Sequence, residues 1–66
     1  MRTYDVTFIN KNTGENIIVI RANANGKDKA IMNATKSFKH AHKNINLEDV
    51  DISIKQVIVE DEYLWK

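Results

Sequence analysis

Residues 27–42 read KDKAIMNATKSFKHAH, and the fold turns on how this stretch is read. At helical spacing, Ala30, Ile31, Ala34, Phe38 and Ala41 fall within one arc of about 100°. The spacing therefore predicts a helix from about residue 27 to residue 42, with Phe38 on its buried side. Asn23-Ala24-Asn25-Gly26 breaks the chain just upstream. Asn25 reads as the N-cap and Asp28 as the third helical position, where a carboxylate meets the positive end of the helix dipole. Asn-Gly is also a hairpin signal, but the residues after Gly26 have helical and not alternating periodicity.

Working outward, Tyr4, Val6 and Phe8 alternate with Asp5 and Thr7, the period of a half-buried strand. Asn10 to Glu15 is turn chemistry containing Gly14, and the β-branched run Ile17 to Ile20 is a second strand, giving a hairpin. Ile45 and Leu47 are expected to pin the exit from the helix. Val50, Ile52 and Ile54 then alternate with Asp51, Ser53 and Lys55, after which apolar parity passes to Val57 and Val59. A bulge, a corner or cover on both faces would each explain that switch. The order is ββαβ: a single α+β domain, 1–66, with a mainly antiparallel three-stranded sheet and one helix across one face. Tyr4, Val6, Phe8, Ile18, Ile20, Phe38, Ile52 and Ile54 are the expected core. The third strand is reached either by a right-handed crossover or by antiparallel addition beside the first strand.

With 66 residues and no cysteine, the chain has a small core and no disulfide or cysteine-held metal. That shifts weight to self-association or a partner. No apolar run is long enough to span a membrane, and the first residues lack the apolar stretch of a signal peptide, so a cytoplasmic protein is expected. Net charge is +1, but residues 27–43 carry five lysines against one aspartate, and residues 48–62 carry six acids against one lysine. The sequence is thus dipolar, with a basic middle and an acidic final third.

The residues give little sign of catalysis. Gly26-Lys27 lacks the remaining positions of a phosphate-binding loop, since Arg21 and Asp28 stand where glycine and Ser or Thr are needed. His40 and His42 would point about 200° apart on a helix, so they cannot share a metal ion. One is expected to be solvated and the other to lie at the core margin. The carboxylates at 48, 49 and 51 and at 60–62 flank a strand without calcium-loop spacing. No catalytic residue, metal ligand, cofactor or small-molecule substrate is expected.

Two features point to binding. If the helix covers Ile18 and Ile20, then Ile9, Ile17 and Val19 turn to the opposite sheet face, joined by Val57 and Val59 after the parity switch. A lone helix cannot cover that set, and contiguous exposed apolar area marks interaction sites. Either Tyr63-Leu64-Trp65 folds over it, or a second copy, as a homodimer, or a protein partner covers it. An alternative protein contact is the C-terminal set Glu60, Asp61, Glu62, Tyr63 and Trp65. The second feature is a basic ridge on the outer helix face, Lys29, Lys36, Lys39, His40 and Lys43, suited to nucleic-acid phosphates.

The run Tyr4-Asp5-Val6-Thr7-Phe8-Ile9-Asn10, with Asn12-Thr13-Gly14-Glu15, a strand, and then Lys27-Asp28-Lys29-Ala30-Ile31, resembles small orphan proteins of bacteriophages and prophages from AT-rich bacterial hosts. The resemblance implies an early protein that binds and redirects or inhibits a host protein, and in some cases one that binds nucleic acid. The expected function is accordingly a non-enzymatic protein-binding module, with nucleic-acid binding through the ridge as the alternative.

Overall fold

A computed structural model describes residues 1–58. Val59, Glu60, Asp61, Glu62, Tyr63, Leu64 and Trp65, which figure in the binding expectations above, lie outside the described residues. The elements are β1 (Arg2–Asn10), β2 (Asn16–Ala24), α1 (Lys27–Ala41), a 3-10 turn (Leu47–Asp49) and β3 (Val50–Val57). They form a three-stranded antiparallel sheet in the order β2-β1-β3, with one helix, as the residue pattern implies.

β1 is antiparallel to both neighbours, so β2 and β3 run parallel to each other with β1 between them. Of the two routes left open for the third strand, the structure shows antiparallel placement beside β1. The chain crosses over β1 by way of α1 and adds β3 antiparallel beside it.

The hairpin between β1 and β2 is built by Asn10 and Gly14. The Asn10 side-chain oxygen accepts from the backbone N–H groups of Asn12 and Thr13, and its backbone carbonyl accepts from Gly14 N–H at 2.7 Å. Gly14 has φ +78°, which costs any residue with a Cβ.

The break in pairing falls beside this loop. Phe8 faces Ile18 but Ile9 faces Asn16, so Ile17 is the extra residue of a bulge. By contrast, β3 pairs with β1 without interruption from Val50 to Val57. The parity switch in β3 is thus no bulge. It simply puts Val57 on the face away from the helix.

The helix starts one residue later than Asn25 would cap it. Gly26 is the N-cap, in extended backbone and without a side-chain cap bond, which puts Asp28 at the second helical position. Asn25 is used differently: its carbonyl accepts from Arg2 Nη1 at 3.0 Å. Only two residues separate β2 from α1, and this short link ties the helix over β2.

Ala30 and Ala34 on the helix, and Ala22 and Ala24 on β2, are all buried. Such small side chains allow the helix to approach closely on that side. At the other end the space is filled by rings. Phe8 and Phe38 are fully buried and stack with centroids 4.3 Å apart and planes 6° from parallel. Val6, Ala34 and Val50 complete this cluster, and Ile45 and Leu47 pack against it as expected of the exit loop.

Phe38→Ala should destabilise by about 3–5 kcal/mol, since the ring is fully buried and stacked on both sides. That is a large share of a small domain's total of about 5–15 kcal/mol. Urea unfolding followed by circular dichroism measures it, and an unchanged midpoint would remove Phe38 from its central position.

Gly14→Ala meets open space but keeps the positive φ, so it should cost about 1–2 kcal/mol for conformational reasons alone. The same unfolding measurement should show the loss with no change in m-value.

Candidate interaction surface

On the sheet face away from α1, the ladder sets Thr3 beside Asn23 and Val57, Asp5 beside Arg21 and Lys55, and Thr7 beside Val19 and Ser53. Ile9 and Asp51 end this face. Its centre is an ion pair: Arg21 Nε and Nη2 donate to the two Asp5 carboxylate oxygens at 2.8 and 3.2 Å. Thr3 Oγ1 donates to Asn23 Oδ1 at 2.8 Å. The face is mostly polar.

The apolar stripe expected here is not assembled. Ile17 is the bulge residue and packs against the Phe8–Phe38 cluster on the helix side. Ile9 and Val19 stay on the outer face near the hairpin, with Val19 half exposed. Val57 stands opposite Thr3, six residues along β1 from Ile9, which is about 20 Å of strand. The physical reason is the bulge, which returns Ile17 to the core, together with the charged rung at Asp5.

Exposed apolar surface lies instead on β3. Ile52 faces the helix side, directly opposite Phe8, yet Phe8 is fully buried and Ile52 is 41% exposed. The expected core included Ile52, and here the structure corrects it. The contacts of α1 run to β2 and β1 and hardly reach β3, because the short Asn25-Gly26 link and the alanines hold the helix over β2. Ile54, two residues on, is half buried between the two core clusters. Ile58 beyond the strand is also exposed. Periodicity puts Ile52 on the helix side, but only the helix's lateral position leaves it uncovered.

The basic ridge is present as an exposed set. Lys29, Lys36, Lys39, His40 and Lys43 all face solvent, although the helix ends at Ala41 and Lys43 lies in the following loop. Lys39 and Lys43 border an open depression of about 420 Å³ at the helix C-terminus, with His42, Ile45 and Leu47 on its other sides. His42 is half buried and stacks on Phe38 at 4.9 Å, while His40 is solvated, so the two histidines divide as their spacing implies. No group of three or more metal-binding side chains occurs among the described residues.

Just beyond the end of β1, acidic residues meet Lys11. Its Nζ donates to the Glu48 carbonyl at 3.0 Å and lies 3.9 Å from the Asp51 carboxylate. The Lys11 backbone N–H donates to the Asp49 carbonyl. The hairpin loop thereby anchors the start of β3.

No protein-family model, curated protein or solved structure matches this chain.

The Arg21 hydrogen bonds hold the Asp5 carboxyl below its ordinary pKa, and the positive charges of Arg21 and Lys55 add to the effect against an opposing cost of desolvation. The pair is exposed, so its contribution to stability is small. Its sign is fixed: the contribution is present above the ordinary aspartate pKa and is lost as pH falls through the lowered folded-state value. Arg21→Gln should raise the Asp5 titration midpoint, which carboxyl-carbon NMR resolves directly. An unmoved midpoint would contradict the pairing.

Proposed function

We propose that this chain is a non-enzymatic protein-binding module that receives its partner on the helix side of β3. The observation that carries the reading is Ile52, an apolar residue level with the most buried ring of the core and yet 41% exposed. Apolar surface on a strand that, among the described residues, pairs on one side only offers both side-chain contacts and main-chain hydrogen bonds to a partner. The likeness to small phage proteins supplies the partner's class, a bacterial host protein that the chain modulates or inhibits. The acidic residues 60–62 follow β3 in sequence and favour a basic partner surface.

Immobilised wild-type chain and Ile52→Lys should be compared on nuclease-treated lysate from an AT-rich bacterial host. Ile52 is well exposed, so the variant should keep its fold. The expected outcome is a protein retained by the wild type and lost with Ile52→Lys. Equal retention by both chains would overturn the reading.

The exposed ridge Lys29, Lys36, Lys39, His40 and Lys43 favours a second reading, contact with nucleic-acid phosphates. On that reading the triple change of Lys29, Lys36 and Lys43 to Gln should weaken binding and flatten its salt dependence by about 0.9 per lost phosphate contact on duplex DNA. No binding by the wild type at about 50 mM salt would remove it.

A further inference from the structure

Among the described residues the strand order leaves β2 and β3 at the two edges of the sheet, and the edges differ. β2 carries the bulge at Ile17, and α1 lies over it. Bulges and covering elements are devices that keep an edge from pairing. Among the described residues β3 has no bulge, its ladder is regular for eight residues, and on its helix side Ile52 is exposed.

We infer that β3 pairs antiparallel with β3 of a second copy of this chain, about a two-fold axis through Ser53. The inference rests on the reading of β3 as a protein-binding edge and assigns that edge to a second copy of the chain, with which a host protein would compete. An axis normal to the sheet keeps both helices on one side, so directly opposed residues share a face. In the register that sets Ser53 against Ser53, Ile52 meets Ile54 of the second copy on the helix side. On the other face Asp51 meets the second copy's Lys55, and Lys55 meets its Asp51.

Every charged residue within β3 is thereby matched to its opposite, and both isoleucines gain an apolar neighbour. The registers shifted by one pair either way lose this. One sets Ile54 against itself with Lys55 against Ser53, and the other sets Ile52 against itself with Asp51 against Ser53. A lysine on an edge strand ordinarily discourages pairing. Here Asp51, four residues away on the same face, turns it into a register lock. The product is a continuous six-stranded sheet whose central rungs carry Ile52, which α1 leaves exposed, and the half-buried Ile54.

Within one chain, Asp51 lies 3.9 Å from Lys11, and Lys55 stands opposite Asp5. This makes charge exchange a discriminating test. Asp51→Lys and Lys55→Asp each place like charges together twice in the dimer, and each alone should weaken it about tenfold in sedimentation equilibrium. The double exchange restores both intermolecular pairs while worsening both intramolecular ones. Recovery of the dimer in the double variant, with folding checked by circular dichroism, is the expected result. A double variant no better than either single one overturns the inference.

The wild-type chain has no cysteine, so a second measurement avoids any doubt about stability. Ser53→Cys should give a disulfide-linked dimer on mild oxidation, because opposed positions across the axis bring the β-carbons to about 4.5–5.5 Å. Val19→Cys on the other edge should not. Cross-linking at 19 and none at 53, or a wild type monomeric at every concentration, overturns self-pairing. The protein-binding reading is judged separately, by the Ile52→Lys comparison on lysate.

Discussion

The stack of Phe8 on Phe38 is the contact on which the rest of the structure depends. Phe8 comes from the central strand and Phe38 from the last turns of the only helix among the described residues, so the contact joins the two layers directly. Both rings are fully buried. Ala34, Val6 and Val50 fill the space around them, and Ile45 and Leu47 close the end. His42 adds a third ring at the edge of the stack and carries the chain out of the helix. Because Val50 belongs to the same cluster, the start of β3 is placed by it too. A chain of this length has little further core to fall back on.

The same economy explains why the molecule has an incomplete side. One helix of 15 residues is tethered over β2 by a two-residue link and drawn down by alanines on both partners. It covers β2 and β1 well and β3 poorly. The outer sheet face needs no cover, since Asp5, Arg21, Lys55 and the threonines make it polar. Among the described residues, the helix side of β3 around Ile52 is left over, on a strand that pairs with β1 alone. Among the described residues of the sheet, the exposed apolar side chains are thus split between Ile52 on the helix side of β3 and Val19 on the outer face of β2, and they do not form one continuous face.

That redistribution bears on function. An apolar face would favour face-to-face stacking of two sheets, whereas an apolar, regular edge favours strand addition. On the self-pairing we propose, the alternation of Asp51, Ser53 and Lys55 with Ile52 and Ile54 sets the register, because an antiparallel copy of the same strand presents the complementary order.

The sequence by itself determined the elements and their faces. The period of Tyr4, Val6 and Phe8 against that of Ala30, Ala34 and Phe38 separates strand from helix, and Gly14 marks the hairpin. These are local properties, set by side-chain spacing and by backbone preference at single residues. Tertiary structure decided three things that local pattern does not encode. It sent Ile17 back to the core, because the bulge arises from the pairing of two strands and not from either alone. It moved the helix cap to Gly26, while the Asn25 backbone carbonyl accepts from Arg2 at the start of β1. And it left Ile52 exposed although its parity matches the core, because cover depends on where the helix sits across the sheet. That lateral position follows from the short link and from alanine contacts between elements, and periodicity along one strand carries no information about it.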